Sequence, residues 1–162
     1  MSERFDKEDR GVESSTIGLF RSAKVVKGGK NFAFEALVAA GDKQGNIGIG
    51  YGKAKEVPAA VEKATKDARR RMVNVSLAGG TIPHEVTGKF GASMIKLVPA
   101  RPGTGIKAGR YVRPVLELVG IRDILTKAYG STNKKNLSKA ALAALQSLRT
   151  KQTITEQRGV EV

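Results

Sequence analysis

Cysteine and tryptophan are absent from the 162 residues, and there is one histidine, His84. Without thiols there can be no disulfide framework, thiolate zinc site or cysteine nucleophile. A lone histidine with no acidic cluster beside it makes a poor metal ligand set, so neither a metal nor another cofactor is expected. Aromatic residues are only 5% of the chain, too few for a sheet that stacks a series of bases. No apolar run approaches the roughly 20 residues a membrane helix needs. The opening segment, MSERFDKEDRGVE, is charged and acidic and fits neither a secretion signal nor a transit peptide. Beyond it acids become scarce: residues 18–151 hold eight, against 25 Lys and Arg. Little is left for acid–base chemistry, no nucleophile-elbow pattern occurs, and an enzyme is not expected.

What the chain has in place of these is positive charge. There are 29 Lys and Arg against 15 Asp and Glu, a formal net charge of +14. Ordinary small domains carry a magnitude of about 2–8. The excess is not uniform. Residues 1–17 hold five acids and three bases, for −2, while 18–151 carry +17. So concentrated an excess suits a polyanion, and phosphate contacts with counterion release would supply most of the affinity for nucleic acid. Solubility charge on an exposed surface is the plainer alternative. Hydrophobic residues are 40%, enough for a packed core, and the length suits one domain or two small ones. A soluble intracellular protein is the expectation.

Residues 1–16 lack apolar periodicity and read as a flexible tail. A strand over 17–27 meets GGKN, a turn composition. Phe32, Phe34, Ala36, Val38 and Ala40 alternate at period two and predict a strand with one buried face, which would put both phenylalanines in the core. After the turn GDKQG, the segment NIGIGYGK turns Ile47, Ile49 and Tyr51 one way and Gly48, Gly50 and Gly52 the other. A bare glycine face lets a helix or ligand approach closely, and the helix that follows is the favoured partner. Pro58 suits its first turn. Val57, Ala60, Val61, Ala64, Ala68 and Met72 form its apolar face, with Lys63, Lys66 and Arg70 on another face and Arg69 beside them.

SLAGGTIPHE makes a break. Strands are then expected over 81–90 and 92–100, a helix near 109–119 ended by Gly120, a strand over 121–129 and an amphipathic helix over 136–150. The fold class is therefore α+β, with units at 17–75 and 76–150 and a polar tail over 151–162.

Two glycine-rich segments invite a nucleotide. GNIGIGYGK fails the phosphate-loop spacing, because Ile47 and Ala54 stand where glycine and Ser or Thr are required. GTGIKAG also has the wrong spacing for a dinucleotide loop. Its glycines, a helix N-terminus and Lys107 could still hold a backbone phosphate, or it is only a tight strand-to-helix turn. KVVKGGKNFAF brings Lys24, Lys27 and Lys30 to a loop loosened by Gly28 and Gly29. Such a loop can enter a crowded phosphate groove, and it can equally be a glycine turn with solvated lysines. Basic loops and a basic helix on small α+β units suit recognition of RNA shape and phosphates more than base sequence.

The stretch from Lys24 to Ala64, then RRRMVNV, GTIPHEV, FGASMIKLVPA, GTGIKAG and VLELVGIRDILTKAYGSTN, closely resembles the bacterial small-ribosomal-subunit protein five family over about residues 20–150. The resemblance implies an N-terminal three-stranded sheet plus helix related to double-stranded-RNA-binding domains. It implies a C-terminal sandwich of mixed sheet with two helices. It also implies a structural protein of the cytoplasmic small subunit that binds 16S ribosomal RNA and supports assembly and decoding accuracy. Small-subunit proteins four and eight would be neighbours, and messenger RNA would enter nearby. The loop Lys24–Lys30 would correspond to the family's strand-linking loop, which affects spectinomycin sensitivity. Taken with the basic loops and helix face read above, the candidate RNA contacts are Lys24, Lys27, Gly28, Gly29, Lys30, Lys53, Lys55, Lys63, Lys66, Arg69, Arg70, Lys107 and Arg110. Protein four would meet Gly103, Thr104, Gly105 and Arg113. Lys107 and Arg110 stand where the family more often has an aliphatic residue and a glycine, and STNKKN replaces STNP. A free regulator that binds structured RNA off the ribosome, and a small basic enzyme using His84, are the competing classes.

Overall fold

The computed structural model describes residues 11–159. The chain runs β1 (Glu13–Val26), β2 (Gly29–Gly41), β3 (Asn46–Ala54), α1 (Val57–Arg70), β4 (Val73–Asn74), β5 (Val86–Phe90), β6 (Ser93–Pro99), β7 (Ile106–Lys107), α2 (Arg113–Val119), β8 (Ile124–Gly130), α3 (Lys134–Gln146) and α4 (Lys151–Arg158). β1 to β4 form one antiparallel sheet in chain order. β5, β6, β8 and β7 form a second sheet in that order, with the short β7 parallel to β8. The class is α+β with two sheets.

The glycine face of β3 exists for α1. A methyl group at Gly48, Gly50 or Gly52 would land on the main chain of Ala68, Ala64 or Ala60. Those three alanines are the fully buried positions of α1. Small residues on both sides let backbone meet backbone. β5 repeats the device, since a methyl at Gly88 would strike Ala140 and Ala144 of α3.

The other face of the first sheet packs on the second half of the chain. Leu37, Ala39, Ile47 and Ile49 share one continuous apolar cluster with Val115, Leu116 and Val119 of α2 and with Leu137, Ala141 and Leu145 of α3. The β2–β3 turn also caps α2. The amides of Lys43 and Gly45 donate to the carbonyls of Leu118 and Val119, at 2.9 Å each, satisfying acceptors that a helix end leaves open. Asp42 holds that turn by accepting from the Gln44 and Asn46 amides and the Asn46 side chain. Burial opposes ionisation of its carboxyl, but these donors outweigh it and lower the pKa.

Several sequence expectations need correction. The tail expected over 1–16 ends earlier, because Glu13 to Thr16 pair with Gly41 to Val38 in β1; residues 1–10 lie outside the described residues. These strand positions are polar and edge-facing, so alternation gave no sign of them. The first sheet gains a fourth strand, a two-residue β4 beside Asn46 and Ile47. In the second half, β5 starts at Val86 and α2 at Arg113, both later than expected. The polar tail contains α4, fixed by the Thr150 side chain at its start and Gly159 at its end, with no buried residue. Periodicity cannot find a helix that buries nothing. Phe32 is 48% exposed and not in the core. Ala36 and Val38 lie under α1, but α1 begins at Val57 and stops short of Phe32.

Candidate nucleic-acid interface

The β1–β2 ladder continues to Val26 and Gly29, while β3 leaves it at Phe34. Five residue pairs, Ser22–Ala33 through Val26–Gly29, therefore form a two-stranded arm with no third strand. At about 3.4 Å per residue it projects roughly 17 Å. Lys24, Lys27 and Lys30 are exposed on it and make no ion pair among the described residues. Pairing sets their directions. Lys30 lies opposite Val25 on one face, Lys24 opposite Asn31 on the other, and Lys27 is in the turn. Positive charge thus surrounds the tip. Gly29 has a φ of +145° that only glycine adopts readily, whereas Gly28 has no positive φ; a methyl at either would meet nothing within 4 Å. Packing within the protein does not require glycine at 28.

The predicted cations of β3 and α1 separate into two places. Lys53 and Lys55 end β3 and lead into α1 beside the arm's base, and Lys63 lies over Gly52 close by. Arg69 and Arg70 occupy the last turn of α1, about 10 Å further along the axis, where cations also favour the helix dipole. Lys66 is paired with Glu62 at 2.7 Å.

Glu35 ties the arm's base to the second half of the chain. Its carboxylate meets Lys135 at 3.0 Å and Lys53 at 3.4 Å, and Lys135 also donates to the Tyr51 hydroxyl at 3.2 Å. Hydrogen bonds from Tyr51 and then Lys135 lower the Glu35 pKa from 4.5 to about 2, against its desolvation. Burial disfavours the Lys135 ammonium, yet its bonds to Glu35 and Tyr51 raise its pKa overall. Lys53 is therefore partly neutralised, and the carboxylate links β2 near the arm's root to α3.

The glycine-rich loop is built differently from a phosphate cradle. The Gly105 amide donates to Asp123 Oδ1 at 2.8 Å, and Thr104 donates to the Arg101 carbonyl at 2.8 Å. Gly103 to Gly105 form a tight turn into β7, and α2 starts at Arg113, whose amide donates to the Gly109 carbonyl at 3.0 Å. Lys107 is exposed on the edge strand β7. Arg113 donates to the Ile106 carbonyl at 3.0 Å. Arg110 is apart from the arm's tip, in an open cleft lined also by Thr16 to Leu19, Tyr111 and Lys134.

The sequence marks the doubled lysine of STNKKN as added charge, but it does not place Lys134 and Lys135 at the arm's root. Both ammonium groups lie 5.0 Å from the Phe20 ring centroid there. His84 joins chain segments: Nδ1 lies 2.8 Å from the Glu85 carbonyl, and Nε2 accepts from the Arg149 amide at 3.2 Å. Among the described residues no group of three or more His, Cys, Asp or Glu could hold a metal, and no helix is long and apolar enough to cross a membrane.

Comparison with known proteins matches both halves. Residues 13–76 fit the family model of ribosomal protein S5, N-terminal domain, and residues 88–158 that of ribosomal protein S5, C-terminal domain. Small ribosomal subunit protein uS5 of Dehalococcoides mccartyi strain 195 is 49% identical over 157 residues, covering 96% of this chain and 91% of the relative. The proteins of the same name from Rhodopirellula baltica and Cupriavidus pinatubonensis are 48% and 47% identical, covering 94% and 97% of this chain and 89% and 91% of theirs.

Proposed function

The chain belongs to the ribosomal protein S5 family, and from that membership we propose that it is a structural constituent of the bacterial small ribosomal subunit, in the cytoplasm, bound to 16S ribosomal RNA. It is a scaffold and not an enzyme, as its relatives' name, small ribosomal subunit protein, describes. The single observation that carries the RNA reading is the arm. A two-stranded ribbon is marginal by itself, yet this one stands clear of the sheet with lysines on both faces and at its tip that make no ion pair among the described residues. A glycine with no internal need sits at its turn. Such a finger is shaped to enter a phosphate-lined groove and displace counterions there.

Lys53, Lys55 and Lys63 would extend the contact from the arm's base, with Lys66, Arg69 and Arg70 following along α1. Lys107 and Arg110 would meet a separate stretch of RNA. The turn around Gly103–Gly105 and Arg113 would face small-subunit protein four, and protein eight would lie close. In this arrangement the protein would border the path by which messenger RNA enters and would influence decoding accuracy. Crosslinking from Lys27 and Lys30 in assembled subunits, followed by sequencing of the attached RNA, tests the reading. Adducts at one or a few 16S sites are expected. Adducts to protein only, or none, would remove the arm from the RNA.

A further inference from the structure

The sequence favoured recognition of RNA shape and phosphate alone, but the arm carries a surface that neither requires. Phe32 is 48% exposed, and the Arg21 guanidinium carbon lies 3.7 Å above its ring centroid. The cross-strand partner of Phe32 is Ala23, whose methyl is too small to cover the ring. Val25, 72% exposed, and Leu19, 47% exposed, stand on the same face. Phe32 and Val25 on the arm, and Arg21 and Leu19 at its root, are thus open to solvent beside the arm's lysines.

The chemistry of that face selects its occupant. Lys30 sits on it, two positions from Phe32, and an apolar protein surface would bury that ammonium and the Arg21 guanidinium without partners. A nucleobase would not. It offers a flat π-face to the ring and guanidinium, while its phosphates lie within reach of Lys30. Aromatic and arginine planes stack on any base, but only on one freed from its neighbours, because a duplex hides base faces. We infer that Arg21 and Phe32 form a stacking site for an unpaired base of the bound RNA, which anchors the arm where its lysines alone would let it slide. The inference rests on the RNA-binding reading above and adds the class of RNA feature recognised, a bulge or loop base instead of continuous helix.

Full-length protein and 16S ribosomal RNA transcribed in vitro provide the test. The wild type is titrated first; if it ignores the RNA, both the ribosomal reading and this inference fail. Given wild-type binding, Phe32→Leu keeps apolar volume and every charge but removes the π-face. It should weaken binding roughly 5- to 150-fold, the range for one stacked base, with an unchanged salt slope. Because the chain has no tryptophan, Phe32→Trp introduces a single reporter, whose emission should be quenched as RNA saturates. Both substitutions are on an exposed arm, and unchanged thermal unfolding will show that the fold persists. Wild-type affinity in Phe32→Leu, or unquenched emission in Phe32→Trp at saturation, overturns the stacking site and leaves the lysines as the arm's only RNA contacts.

Discussion

Replacing Glu35 by glutamine keeps the side chain's shape and removes the charge that Lys135 and Lys53 meet at 3.0 and 3.4 Å. A carboxyl held at about 2 in the folded protein and 4.5 in the reference state corresponds to about 3 kcal/mol if the whole shift were expressed. The side chains of Lys135 and Lys53 are 36% and 54% exposed, so solvent screening reduces this to about 1–2 kcal/mol at neutral pH. The folded pKa is depressed, so the contribution is complete above the unfolded pKa and disappears as pH falls through the folded one. The window is therefore about pH 5 down to 2, and the wild-type advantage should be clearly smaller at pH 3.5 than at pH 7. Urea denaturation of wild type and Glu35→Gln at pH 7 and pH 3.5 measures it. An equal gap at both pH values, or none at pH 7, would show that the carboxylate does not bind the two halves together.

Three other substitutions probe separate parts of the molecule. Gly50→Ala drives a methyl into the backbone of Ala64 and Ala68, where no flexible side chain can yield; a loss of about 3 kcal/mol or more, or no folded protein, is expected in a denaturant titration. Gly28→Ala meets nothing in the protein, so stability should stay within about 0.5 kcal/mol while affinity for 16S ribosomal RNA falls; unaltered affinity would mean the turn does not approach RNA. His84→Ala removes the acceptor for the Arg149 amide, and about 1 kcal/mol of stability should go with RNA affinity intact.

Much of this fold was legible because its elements obey simple periods. The alternation in β2 and β3, the three- and four-residue steps of α1, and the glycine face of β3 each specify a neighbour, and the neighbour is there. What stayed hidden depends on the third dimension. The start of β1 ahead of Ile17 follows from pairing with β2, and its own polar residues do not announce it. α4 buries nothing, so it leaves no apolar stripe. Phe32 obeys the same alternation as Ala36 and Val38, and only the starting point of α1 exposes it. At the candidate site, the clustering of Lys24, Lys27 and Lys30 was readable from their spacing, since a hairpin tip collects local residues. The clasp of Glu35 with Lys135 joins residues a hundred positions apart, a distance that spacing cannot bridge.

The salt dependence of 16S ribosomal RNA binding, compared between wild type and a variant with Lys24, Lys27 and Lys30 all changed to Ala, tests the role of the arm most directly. Every phosphate that the variant no longer neutralises should reduce the slope of log affinity against log salt by about 0.9, the value for a duplex. The expected result is weaker binding with a slope shallower by as much as about 2.7. Parallel lines, with the variant as salt-sensitive as the wild type, would contradict an arm built to neutralise RNA phosphates.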